Sequence, residues 1–127
     1  MTWFATERGR LRLIAESAVM SRHFPQFVLM RARDGLLMWR GVLQTKGGSA
    51  YFVSAVVPAR YPNQPPALHV LKPRLASGCP HRFNDGSLCV YPKNWIPATG
   101  TVVQTIANAA DWLHTYEGWR RTGAWRS

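Results

Sequence analysis

The sequence predicts an α+β fold in which an N-terminal helix leads into a four-stranded antiparallel meander, a long loop and a C-terminal helix. Three observations carry that expectation. Apolar residues recur at helical spacing near both ends of the chain. Strand-like runs broken by glycine turns fill the first half. An irregular stretch rich in proline, cysteine and aromatic residues then separates the last strand from the last helix.

The first helix spans Glu7 to His23. Leu11, Ile14, Ala15, Ala18, Val19 and Arg22 fall at helical spacing and form the expected packing face, with Arg8, Arg10, Arg12 and Glu16 on the other. Phe24-Pro25 ends it, because a residue preceding proline avoids helical geometry. Phe27 to Arg31, Leu36 to Leu43 and Tyr51 to Val57 read as strands turned at Gly35 and Gly47-Gly48, and such close spacing favours antiparallel neighbours. Pro58, Pro62, Pro65 and Pro66 lead to one more short strand, Ala67 to Leu71. From Lys72 to Gly100 there is little regular pattern. Loops longer than about 12–15 residues inside a compact domain are usually functional or disordered, and one studded with Cys79, His81, Phe83, Cys89, Tyr91 and Trp95 reads as functional. Thr101 is a helix N-cap, and Val102, Val103, Ile106, Ala109, Ala110, Leu113 and Tyr116 carry that helix up to Gly118. Trp119 and Trp125, around Thr122-Gly123, are expected to pack against the domain or a partner.

A chain of 127 residues fits one domain, 1–127. Its 46% hydrophobic content and six tryptophans agree with a packed core. No apolar run approaches the roughly 20 residues of a membrane span, and Met1 to Gly9 lacks the apolar stretch of a secretory signal. A cytoplasmic protein without a membrane partner is therefore expected. Two cysteines, Cys79 and Cys89, are few for a disulfide framework, which turns attention to thiol reactivity or metal binding. The 16 Lys and Arg against six Asp and Glu leave a net charge of +10. That balance suits acidic partners, protein or nucleic acid. The basic residues are nevertheless scattered from Arg8 to Arg126 without a dense run, which reads equally as a solvated arginine-rich surface.

Trp39-Arg40-Gly41, Tyr51 through Pro58, Tyr61-Pro62 with Pro65-Pro66, Gly86-Ser87-Leu88-Cys89 and Trp95-Ile96-Pro97-Ala98 follow one another in that order. This succession resembles the ubiquitin-conjugating enzyme (UBC-like) superfamily. There a tryptophan strand precedes a strand ending in Phe-Pro, then Tyr-Pro and a Pro-Pro pair. Gly-x-Ile/Leu-Cys with the active cysteine follows, and Trp-x-Pro-Ala opens the next helix. The likeness covers roughly residues 7 to 118. Aligned without gaps, the family's His-Pro-Asn falls on Cys79-Pro80-His81, so His81 stands where the asparagine would be. The segment from Cys89 to Trp95 is also shorter than usual. Those departures, with Tyr116-Glu117-Gly118-Trp119 and Thr122-Gly123-Ala124-Trp125 in the tail, are similar to compact bacterial members found in antiphage (CBASS-type) operons beside a cyclic-oligonucleotide synthase.

The resemblance implies a UBC-like fold and an acyl carrier. Cys89 would accept a protein C-terminus as a thioester from an adenylating activating enzyme and pass it to a lysine or other nucleophile. In the bacterial setting that C-terminus belongs to the synthase. The chain itself would need no metal and no organic cofactor. Attack requires thiolate, only a few per cent of a free cysteine at neutral pH. His81, Arg82 and Lys93 are candidates to supply positive charge nearby, and Pro92, Trp95 and Pro97 to stiffen the loop. Where the family's asparagine supports the loop or the oxyanion, His81 can donate through either ring nitrogen, and it can also accept a proton near neutral pH. The catalytic candidates are therefore Cys89 and His81. Tyr91 would line the mouth of the site, and Asp111 and Glu117 are the carboxylates that the last helix brings towards it. Arg8, Arg10, Arg12 and Arg22 lie on or near the helix that in this family docks an acidic surface of the activating enzyme.

The residues leave other readings open. Cys89 would be an inert thiol in a non-catalytic protein-binding module of the same fold, and His81 a structural loop residue. Cys79, His81, Cys89 and His69 could form a zinc site, although their spacing matches no common finger. A Cys79–Cys89 disulfide goes against the reducing cytoplasm. A nucleic-acid binder would show a contiguous basic face and a steep salt dependence; it stands behind the protein-partner readings.

Overall fold

The computed structural model of the protein describes residues 2–91 and 95–126. A short 3₁₀ turn (Trp3–Ala5) precedes α1 (Glu7–His23), which leads to β1 (Val28–Arg31), β2 (Leu37–Gln44), β3 (Ala50–Val57), β4 (Ala67–Lys72) and, after the long loop, α2 (Val102–Thr122). The strands form one sheet in the order β1-β2-β3-β4, every pair antiparallel. The α+β expectation holds, and the strand boundaries move by only a residue or so. Phe27 falls just outside β1, its N–H donating to the Phe24 carbonyl at 2.9 Å and its ring lying against Gly41, where an added Cβ would sit 2.6 Å from it.

Alternation along the central strands sets the core. Leu37, Trp39 and Leu43 of β2 and Tyr51, Val53, Ala55 and Val57 of β3 are buried on one side. There they meet Val102, Ile106, Ala109, Leu113 and Tyr116 of α2. Thr101 caps α2, its hydroxyl accepting the Gln104 N–H at 3.1 Å. The helix runs through Gly118 to Thr122, four residues beyond the sequence expectation. It stops at Gly123, whose φ of +77° is the left-handed conformation that ends helices. Among the described residues, no helix is long and apolar enough to cross a membrane.

The packing face of α1 differs from expectation. Leu11 and Ile14 are 62% and 67% exposed and Val19 is exposed with them, whereas Gly9, Glu16 and Met20 are buried. The helix packs against the 3₁₀ turn and α2 through a polar contact. Glu16, only 6% exposed, accepts hydrogen bonds from Arg12 Nε (2.9 Å), from the Tyr61 hydroxyl and from the Val102 N–H at the start of α2 (2.8 Å). Arg12 Nη2 also donates to the Gly100 carbonyl at 2.7 Å and to Tyr61 Oη at 3.0 Å. Arg12 is thus a structural residue turned inward, while Arg8, Arg10 and Arg22 are exposed.

Candidate active site

The loop from β4 to α2 positions the candidate residues through a miniature hairpin. Asp85 Oδ1 accepts the Ser87 N–H (2.9 Å) and hydroxyl (2.6 Å), Gly86 adopts a φ of +89°, and the Phe83 N–H donates to the Ser87 carbonyl at 2.8 Å. The Ser87 hydrogen bonds hold the Asp85 carboxyl below its ordinary range. A single bridge pairs Arg82 with Leu88. Beyond the turn, the Leu88 N–H donates to the Leu68 carbonyl of β4 at 2.8 Å, and Leu88 and Val90 are both buried. Side chains of extended backbone alternate in direction. Anchoring Leu88 and Val90 therefore turns Cys89 to the other side, where it is half-buried and free of any disulfide.

Cys89 lines a cleft of about 700 Å³, with His81 and Tyr91 from the loop, Asn108, Asp111, Trp112, His114 and Thr115 from α2, and Trp125 with Arg126 from the tail. His81 and Cys89, far from adjacent in sequence, are joined through the main chain. The Cys89 N–H donates to the His81 carbonyl at 2.9 Å, and Trp112 Nε1 donates to the same oxygen at 3.2 Å. His81 has a φ of +60°, a conformation uncommon for residues other than glycine. Its exposed ring meets Trp125, centroids 5.1 Å apart, and Trp125 meets Trp112 at 5.0 Å.

The remaining sequence candidates divide. Tyr91 lines the cleft, but its hydroxyl turns into the fold, donating to the Pro66 carbonyl at 2.9 Å and lying 3.1 Å from Thr105 Oγ1, and burial pushes its pKa up to about 12. Asp111 is in the cleft. Glu117 is not: it accepts from the Tyr51 hydroxyl at 2.7 Å, in a separate pocket with Gly47, Ser49, Arg120 and Arg121. Arg82 reaches back to the carbonyl of Gly86 within the hairpin. Cys79 is half-buried outside the cleft lining, and burial pushes its thiol up. His69 lies on β4 opposite Ser54. Among the described residues, no group of three or more His, Cys, Asp or Glu is placed to hold a metal ion. Pro92 and Lys93 lie outside the described residues.

Asn108, Trp112, His114 and Thr115 were not foreseen. For Asn108, Trp112 and Thr115 the signal was helical spacing: 108, 111, 112 and 115 fall on one side of a helix, so placing Asp111 near the cysteine implied those neighbours too. The far end of the loop is closed by Trp95, whose Nε1 donates to the Pro62 carbonyl at 2.7 Å and whose ring lies against Gly100.

A helix leading into a four-stranded antiparallel meander, a long loop with an accessible cysteine and a second helix behind it define a protein of the ubiquitin-conjugating, or UBC, fold. The chain belongs to a particular branch of that class: residues 16–127 match the family model of the Type II CBASS E2 proteins, and it is a member of that family. Among solved structures it is similar to the yeast Vps23 UEV domain bound to a Vps27 PSDP peptide, with a TM-score of 0.60, 21% identity, and coverage of 84% of this chain and 81% of that one. The Vps23 UEV in complex with ubiquitin gives a TM-score of 0.59 and 21% identity, covering 85% and 84%. Human ubiquitin-conjugating enzyme E2 G1 gives 0.58 and 18%, covering 86% and 97%. At these identities the likeness is one of fold. No match was found among curated protein sequences.

Proposed function

We propose that this E2 protein is a thioester carrier and that Cys89 is its nucleophile. The observation that carries the reading is the half-exposed Cys89 thiol, presented into the cleft by buried neighbours on either side, in a chain of an E2 family. The Cys89 thiolate attacks the activated C-terminal carbonyl of a protein, and the activating group leaves with the bonding electron pair. An amine, such as a lysine of the acceptor, then attacks the thioester. The tetrahedral intermediate collapses, the Cys89 sulfur departs, and the amine gives up a proton as the amide forms. His81 faces the same cleft, and its ring N–H is the donor to the oxyanion. A positioned donor of this kind contributes about 2.7–4 kcal/mol in comparable acyl transfers.

The family supports a cyclic-oligonucleotide synthase as the protein whose C-terminus is carried, and an adenylating enzyme as the source of activation. The chain works on a protein substrate in the cytoplasm, as one domain, without a metal or organic cofactor of its own.

The test is trapping. Incubated with the synthase, the activating enzyme and ATP, the wild-type protein forms an adduct that thiol removes. Cys89→Ser converts it into a thiol-resistant, hydroxylamine-sensitive ester, and Cys89→Ala forms none. An adduct that persists in Cys89→Ala refutes Cys89 as nucleophile. Stable binding of the synthase without any adduct makes the chain a protein-binding module.

A further inference from the structure

After α2 ends, the chain does not splay into solvent. The left-handed Gly123 reverses it, the Thr122 hydroxyl donates to the Gly118 carbonyl at 2.9 Å, and the Ala124 N–H donates to that hydroxyl at 3.2 Å. The turn delivers Trp125 back over the cleft, one neighbour being the buried Trp112 and the other the exposed imidazole of His81. The main chain of His81 is fixed by two hydrogen bonds to its carbonyl. Its ring is different: among the described residues no hydrogen bond holds the imidazole, and its aromatic contact is Trp125.

We infer that Trp125 is a positioning residue that fixes the His81 ring at the wall of the Cys89 cleft and so sets the rate at which the acyl group leaves Cys89. The assignment rests on the reading of Cys89 as acyl carrier and His81 as donor. An exposed imidazole on a rigid main chain samples several staggered rotamers, and an acyl-transfer donor acts only when it points at the place where the oxyanion forms. An indole whose centroid lies 5.1 Å from that of the imidazole, tilted 41° to it, restricts that freedom, while no hydrogen bond among the described residues occupies the imidazole N–H groups. The tail therefore completes the site although it lies outside the loop and reacts with nothing itself.

The experiment uses the full chain, loaded at Cys89 by exchange with a glycine-ended peptide thioester of mercaptoethanesulfonate and discharged by free lysine. Trp125→Ala slows discharge of the loaded protein about tenfold, and Trp125→Phe stays within about twofold of wild type, because a misplaced donor costs rate steeply and a smaller ring still restrains it. The His81→Ala/Trp125→Ala double variant discharges no more slowly than His81→Ala, since the indole works through the imidazole. In NMR spectra the His81 ring protons, shifted by the indole ring current in the wild type, move to free-imidazole positions in Trp125→Ala. Trp125→Leu keeps apolar bulk without an indole and serves if the alanine variant does not fold; it too should slow discharge and release the ring shift. Independent, multiplying effects of the two substitutions overturn the assignment, as do His81 resonances that ignore the loss of the indole. A His81→Ala protein that discharges at the wild-type rate sinks the donor role of His81 and this assignment with it. Normal loss in His81→Ala with unmoved resonances sinks this assignment alone.

Discussion

At its α2 end the long loop is tied to a buried charge. Arg12 reaches the Gly100 carbonyl, Glu16 accepts the first N–H of α2, and Tyr61 completes the set. At its Cys89 end the loop is tied by main-chain hydrogen bonds, the Asp85–Ser87 turn and aromatic rings, with Cys89 and His81 lining an open cleft. Burying a carboxylate is tolerable only when it is paired and its lone pairs are filled, and at Glu16 they are. The lesson is a separation by depth: the buried carboxylate at one end is fully engaged, whereas Cys89 and the His81 ring at the other make no side-chain hydrogen bond among the described residues.

That separation can be broken experimentally. The largest loss of stability falls on Glu16→Ala, which takes the carboxylate from Arg12 and Tyr61 and leaves the Val102 N–H unpaired; about 3–5 kcal/mol should disappear from the unfolding free energy in urea titrations. His81→Gly should do the reverse. Glycine accepts the φ of +60° without penalty, so stability stays within about 1 kcal/mol of wild type. Lysine discharge from loaded Cys89 nevertheless falls on the order of 100-fold. If His81→Gly unfolds the protein while Glu16→Ala does not, the comparison is wrong. Gly100→Ala is intermediate: its Cβ meets the Trp95 ring, and about 1–3 kcal/mol of overpacking should appear as a lower midpoint of thermal unfolding.

The smallest effect concerns Glu117, remote from both ends. Burial raises its carboxyl pKa, but hydrogen bonds from Tyr51, Thr45 and Ser49 and the charge of Arg121 outweigh that and leave it lowered. A depressed carboxyl stabilises the fold above its unfolded pKa of about 4.3 and loses that contribution as pH falls through the folded value. Between about pH 5 and 3 the wild type should therefore lose stability more steeply than Glu117→Gln, by a margin read from paired denaturant titrations.

The sequence made the strands and both helices legible because alternation and helical periodicity are local, and so are the caps at Thr101 and the turns at Gly35 and Gly47-Gly48. It misled at α1, where Leu11, Ile14 and Val19 have the spacing of a core face yet meet solvent. The partners that draw Glu16 inward, Tyr61 and Val102, are 45 and 86 residues away, and no local pattern reports them. Glu117 went astray for a related reason: it shares α2 with Asp111 but points towards Tyr51 and the β2–β3 turn. Cys89 and His81 were legible as a pair through motif spacing. What joins them, a carbonyl shared by the Cys89 N–H and an indole on α2, was not.

The twisted backbone at position 81 also acts as a filter on inheritance. A left-handed φ outside glycine is adopted most readily by asparagine, aspartate and histidine. Asparagine and the histidine of this chain both belong to that short roster. Exchange between an amide and an imidazole at this place thus demands no rebuilding of the surrounding polypeptide, so the same loop can trial different proton chemistry one codon at a time.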